Sequence, residues 1–176
     1  HLTPAYMDLL GYEDDARLIS QYHPLVVPDL LQTEAYARAI VAATAVGATR
    51  AEIEARVRVR MARQRRVFAG VPARVVRVAL DESALRPIGG DGVMREQIAH
   101  LASVAERVLA EVVVVPATVG AHLGLSGPFT LLELGEDPPV AYLDGALGGT
   151  VVEDAAVVAR YRATFQRLRE AGARTQ

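Results

Sequence analysis

Two strand-like runs, Phe129–Leu134 and Val140–Leu143, are separated only by Gly135, Glu136 and the Asp137-Pro138-Pro139 turn. Turn chemistry of this kind between two such runs predicts an antiparallel hairpin. Elsewhere helical and strand-like patterns are partly segregated along the chain. Together these features predict an α+β fold rather than a doubly wound one: a single domain with an antiparallel or mixed sheet of about five strands and packed helices.

The remaining elements follow from caps and periodicity. Thr3-Pro4 starts a helix, because the hydroxyl caps free amides and the missing proline N–H costs nothing in the first turn. That helix is expected to reach about Leu10 and to end at Gly11. Residues 14–23 set Leu18, Ser20 and Tyr22 against Arg17, Ile19 and Gln21, an alternation that reads as a strand stopping at Pro24. A helix continuing through Ser20 is the competing reading. Pro28 and Asp29 introduce a helix over 30–46, ended by Gly47. Thr49 with Glu52 forms a capping box for a helix to about Ala69, after which Gly70 and Pro72 break the chain. Residues 75–80 alternate arginine with aliphatic side chains as a half-exposed strand. Gly89-Gly90-Asp91-Gly92 is a turn before a helix over 93–109, and β-branched residues 111–115 read as a buried strand. Residues 150–153 form a short strand and 155–170 a closing helix.

A chain of 176 residues is long enough to bury one core without staples, so residues 1–176 are expected to form one domain. Cysteine is absent, which excludes disulfides, thiolate catalysis and thiolate metal sites, and suits a cytoplasmic protein. No apolar run approaches the roughly 20 residues of a membrane span, and residues 1–7 lack the pattern of a signal peptide. Net charge is -2 and the pI about 6.1, which argues against direct nucleic-acid binding. All 19 basic residues are arginine, nine of them between Arg50 and Arg77. Arg56, Arg58, Arg60, Arg63, Arg65 and Arg66 wrap more than one helix face with no interleaved aromatics, so pairing with the chain's own acids is expected. An anionic ligand or an interdomain contact is the alternative.

Candidate chemistry is sparse. The histidines at 1, 23, 100 and 122 have no metal-ligand spacing, so neither a metal nor another cofactor is expected. His122, in the 120–127 loop, could act as acid, base or hydrogen-bond donor, or simply be solvated. Gly124-Leu125-Ser126-Gly127 has the wrong spacing for a nucleophile elbow, and the glycine clusters at 89–92 and 145–149 fit turns better than phosphate loops. Asp81 and Glu82 end a strand, where one is expected to cap the following turn; a division into acid and base is the alternative.

In order along the chain, Val27-Pro28-Asp29-Leu30-Leu31-Gln32-Thr33 with Glu34-Ala35-Tyr36-Ala37, Arg60-Met61-Ala62-Arg63-Gln64, Leu80-Asp81-Glu82-Ser83-Ala84-Leu85 and Val93-Met94-Arg95-Glu96-Gln97-Ile98 form a set of motifs. Val115-Pro116, Gly120-Ala121-His122, Gly127-Pro128-Phe129 and Tyr142 continue it. This set resembles the domain of unknown function 5753, which follows the helix-turn-helix module of Xre-type regulators in actinobacteria. The likeness spans about Asp14 to Arg169. Asp29 stands where that family usually has glycine, and no DNA-binding module is seen ahead of the domain.

The resemblance implies a transcription-regulatory effector domain that senses a small molecule or a partner protein. Its pocket is expected to gather Gln32, Tyr36, Arg60, Gln64, His122, Phe129 and Tyr142 around an apolar ligand. The alternative is a stand-alone, cofactor-free cyclase or isomerase of secondary metabolism, which would hold a flexible apolar intermediate near its reactive shape. In that case Asp29, Glu82 and His122 are the expected catalytic residues.

Overall fold

The computed structural model describes residues 3–145 and 148–173. His1, and Ala146 and Leu147 of the 145–149 glycine stretch, lie outside the described residues. Thr3 caps α1 (Pro4–Asp15), its hydroxyl accepting the Tyr6 amide at 3.3 Å. Contrary to expectation the helix continues through Gly11. An interior glycine costs only about 1 kcal/mol relative to alanine, and the turn beyond it carries Glu13, whose buried carboxylate is held by a distant arginine.

After β1 (Ala16–His23) the expected helix over 30–46 is broken in two. Asp29–Leu31 form a single 3-10 turn, Gln32 and Thr33 are extended, and the Thr33 hydroxyl accepts the Tyr36 amide to cap α2 (Glu34–Thr44). The missed signal was a second cap, Thr33 followed by Glu34, inside a stretch whose apolar spacing looked continuous. The Thr49–Glu52 capping box starts α3 (Arg50–Ala69) as expected.

β2 (Val75–Asp81) leads to α4 (Asp91–Ala105), shorter than the expected 93–109 at its far end. The chain turns there, with Arg107 N–H donating to Val104 O and Ala110 N–H to Arg107 O, which leaves Val108 exposed and lets Ala110 pair with Val76. β3 (Ala110–Val115), β4 (Phe129–Leu134), β5 (Val140–Leu143), β6 (Thr150–Val152) and α5 (Ala155–Ala173) complete the fold.

The sheet has six strands in the order β3-β2-β1-β4-β5-β6. Strands β1, β2 and β3 run parallel, joined by helical crossovers, while β4, β5 and β6 add as an antiparallel meander containing the expected hairpin. The β3 segment, expected to be buried, is an edge strand: Val113 and Val115 are buried, but Val114 is 38 % exposed. β-Branched composition identifies a strand without locating it in the sheet.

Two cores result. On one face α1, α3 and α4 cover Ile19, Val76, Val78, Leu80, Leu132 and Tyr142; on the other α5 covers Tyr22, Ala79, Phe129, Leu131 and Ala141. Each large apolar side chain so enclosed contributes about 1.5–3 kcal/mol. Among the described residues no helix is long and apolar enough to cross a membrane.

Candidate functional site

The segment from Val27 to Thr33 is fastened by three glutamines, one of its own and one each from α3 and α4. Gln32 donates Nε2–H to Val27 O at 2.7 Å, Gln64 on α3 donates to Asp29 O at 2.6 Å and Gln32 O at 2.9 Å, and Gln97 on α4 donates to Leu31 O at 2.7 Å. Gln97 Oε1 also accepts the Thr33 amide at 2.8 Å, and the Tyr36 hydroxyl accepts the Val27 amide at 3.2 Å. These bonds satisfy a buried, irregular backbone that has no ladder of its own. Asp29 sits in this turn without strain, since no described non-glycine residue has positive φ.

Asp29 faces α3, where Arg60 and Arg63 approach its carboxylate at 3.3 and 3.5 Å. Arg60 also donates to Gln32 Oε1 at 2.6 Å. Arg63 forks onto Glu13, with bonds of 3.0 and 2.6 Å, and donates to the Tyr6 hydroxyl at 3.0 Å. Glu13 is fully buried and the Arg63 side chain is 7 % exposed. Burial works against the guanidinium charge, yet Glu13 outweighs it and holds the Arg63 pKa above its ordinary value. One turn further on, Arg66 meets Asp14 at 3.1 Å. Of the six arginines singled out on α3, Arg60, Arg63 and Arg66 thus pair with the chain's own acids, as expected.

A cleft of about 770 Å³ runs along this side of α3. Val41, Ala55 and Val59 line it together with Asp29, Arg60, Tyr6, Tyr142 and Asp144. Asp144 is open to solvent through the cleft, yet protein encloses it closely enough that desolvation, reinforced by Asp29 and opposed by Arg63, pushes its pKa up to about 6. Burial also raises the Tyr142 and Tyr6 hydroxyls.

The residues singled out from sequence divide between the two faces of the sheet. Asp29, Arg60 and Tyr142 line the cleft; Gln32 and Gln64 stand behind it with their amides bonded to the protein, and Tyr36 is buried. Phe129 and His122 lie on the α5 side, around Tyr22, whose ring centroid is 5.6 and 5.4 Å from theirs. Pleat parity separates them, because Tyr142 pairs with Thr130 while Phe129 pairs with Leu143, and neighbours along a strand face opposite ways. Asp81 caps the turn that follows β2, accepting the Ser83 amide at 2.9 Å, and accepts the Tyr22 hydroxyl at 3.4 Å. Glu82 accepts the Ala117 amide at 3.2 Å. His122 Nδ1 is buried with no partner among the described residues, and burial lowers its pKa.

Sequence reasoning missed Tyr6, Glu13, His23 and Asp144. His23 closes β1 at 8 % exposure, its Nε2 buried without a partner among the described residues. Burial pulls its pKa down to about 4, with Asp29 opposing and Arg63 assisting. The unfolded imidazole takes up its proton near 6.5 and the folded one near 4, so the unfolded state binds more protons between these values. Stability is therefore intact above about pH 6.5 and lost as pH falls toward 4, by about 3 kcal/mol. Asp144 has the opposite sign, its stabilising effect being lost as pH rises toward 6, but its solvent access weakens that contribution. Chemical denaturation at pH 7 and 4.5 is expected to show the loss in the wild type and a much smaller one in His23→Gln. An equal loss in both would exclude His23 as its source.

These features define an α+β domain with a polar-centred cleft beside an arginine-bearing helix. The family model of the domain of unknown function (DUF5753) matches residues 6–176, and the chain belongs to that family. No curated protein matches it.

Proposed function

We propose that the domain binds a small, largely apolar molecule in the cleft along α3 and serves as a cytoplasmic effector domain of the kind found in Xre-type helix-turn-helix regulators. One observation carries this reading: a cleft of about 770 Å³ whose lining combines aliphatic side chains with a few polar groups, of which Asp29 and Arg60 are anchored from behind. Ligand recognition of this kind needs preorganisation, and the glutamine-fastened turn supplies it by fixing Asp29 against Arg60. The signal would pass to an attached DNA-binding module or partner protein.

Native mass spectrometry of the purified protein, followed by denaturation and identification of released small molecules, tests the reading. A stoichiometric compound, unchanged over hours and lost in Ala55→Trp, which would place an indole in the cleft, is the expected result. A protein that is recovered empty and shows no thermal shift with a panel of apolar metabolites would refute it.

A second reading, a cofactor-free cyclase or isomerase, draws support from the two cleft carboxylates. Asp29 lies within ion-pair distance of two guanidiniums, and Asp144 is pushed up to about 6 by desolvation, which suits Asp144 for proton delivery. Recovery of a rearranged product that fails to accumulate in Asp29→Ala would favour this reading over the sensor.

A further inference from the structure

The sheet has two unlike edges. β6 is only three residues long and has α1 packed against it, whereas β3 runs for six residues. The Val76 amide donates to Leu109 O at 2.9 Å while Val76 pairs with Ala110, which sets the phase of the parallel ladder. Glu111, Val113 and Val115 therefore turn their backbone groups to β2, and Ala110, Val112 and Val114 turn theirs to the open side. The Ala110 amide is taken by Arg107 O and Pro116 has no amide, so the donors left on this edge are those of Val112 and Val114. A Cβ on Gly172 of α5 would stand 2.9 Å from Val114 O, so glycine there leaves that carbonyl uncovered. Sheet edges are usually blunted by charges, a proline or a bulge. β3 instead presents a run of valines with Val114 exposed, and its one charge, Glu111, is engaged by Arg77 and Arg169.

The helix over this strand has a free flank on the same side. Gln97 of α4 bonds the Leu31–Thr33 turn, and Arg107, just beyond the helix, lies 5.4 Å over the Phe68 ring of α3, so that flank of α4 faces the rest of the layer. At roughly 3.6 residues per turn, the opposite flank carries Arg95, Ile98, Ala102, Ala105 and Glu106, all exposed. Arg95 and Glu106 stand about three turns apart and have no ion-pair partner among the described residues.

We propose that this edge docks a second copy of the chain, β3 pairing antiparallel with its counterpart about a two-fold axis at Val113 so that two sheets become one. In that register the Val112 amide donates to the partner's Val114 O, and the partner's Val114 amide donates to Val112 O. The axis repeats the pair, so every donor left on the edge is used. The same axis sets α4 antiparallel to its copy. Arg95 then meets the partner's Glu106, Glu106 meets the partner's Arg95, and Ile98 lies against the partner's Ala102 and Ala105. Charges unpaired within one chain thus find partners across the axis, as a self-complementary surface requires, while a parallel alignment would set like against like. Strand and helix agree on where the axis falls. Val113 lies about 10 Å along β3 from Ala110, and the same distance back along α4 from Ala105 is about seven residues, within a turn of the midpoint between Arg95 and Glu106.

Sedimentation equilibrium at about 100 μM, well above a micromolar Kd, is expected to give twice the chain mass of 18.9 kDa. Val114→Lys sets a charge on the open edge without touching the β2 ladder, and should weaken the dimer by about tenfold or more. Glu106→Arg should weaken it by a similar factor through like-charge contacts with the partner's Arg95, and adding Arg95→Glu to the same chain should restore the wild-type affinity. Both charged residues are exposed, so each variant should keep the wild-type unfolding temperature, and the rescue by charge exchange is a result that mere damage to the fold would not produce. A monomer at that concentration would overturn the proposal, as would a dimer that Val114→Lys leaves intact. A dimer indifferent to Glu106→Arg, or one that the double variant fails to restore, would remove α4 from the axis and with it the assigned register.

Discussion

Arg63→Met is expected to destabilise the domain by about 3–5 kcal/mol, the largest effect of any single change considered, because it leaves Glu13 as a buried carboxylate without its counter-charge. Glu13 has no exposure, and both of its oxygens take hydrogen bonds from Arg63 at 2.6 and 3.0 Å. Methionine keeps much of the length of the arginine stem, so cavity formation is a minor part of the expected loss. The remaining neighbour, Arg66, reaches Glu13 only at 4.0 Å and is itself engaged with Asp14. The variant also removes one of two guanidiniums from Asp29 and a donor from Tyr6, which couples the stability of α1 to the shape of the cleft.

The cause can be separated from the effect by a second substitution. In Glu13→Met/Arg63→Met both charges are gone, and most of the lost stability should return, since replacing a buried ion pair by apolar groups of similar volume is often neutral or better. Urea unfolding of the wild type, the two single variants and the double variant gives the coupling directly. A double variant no more stable than Arg63→Met would mean that packing, rather than the unpaired charge, sets the loss.

The sequence made some of this structure legible, and the boundary has physical reasons. Caps act through neighbours in the chain, so Thr3, Thr49 and the 129–143 hairpin could be read from local residues alone. The Glu13–Arg63 pair spans a sequence separation of 50. Arg63 stands out only as a motif residue, which does not name its partner, and nothing local distinguishes Glu13 from the acids that follow it. The division of the expected pocket is of the same kind, because His122, Phe129 and Tyr142 can be assigned to faces only when the hairpin register is known, and a shift by one residue would exchange those faces. Asp29 was legible as an unusual residue at a motif position, and Arg60 as part of another motif. Their meeting, and the presence of Asp144 beside them, depended on a sheet order that brings β5 under α1 and α3.

Gln97→Met is expected to cost about 3 kcal/mol, second only to the loss of Arg63, and to act through the backbone rather than through volume. Gln97 is fully buried and makes two bonds, accepting from the Thr33 amide at 2.8 Å and donating to the Leu31 carbonyl at 2.7 Å. Methionine matches the side chain in length and shape but leaves both backbone groups buried and unpaired, each at about 1–3 kcal/mol. The two groups flank Gln32, at the break between the 3-10 turn and α2, so the loss should be concentrated there. Hydrogen exchange of the Thr33 amide should accelerate by more than global unfolding accounts for, and the cleft should lose affinity because Asp29 is carried by the same turn. A Gln97→Met protein within about 0.5 kcal/mol of the wild type, with the Thr33 amide still protected, would show that the turn is held by Gln32 and Gln64 alone.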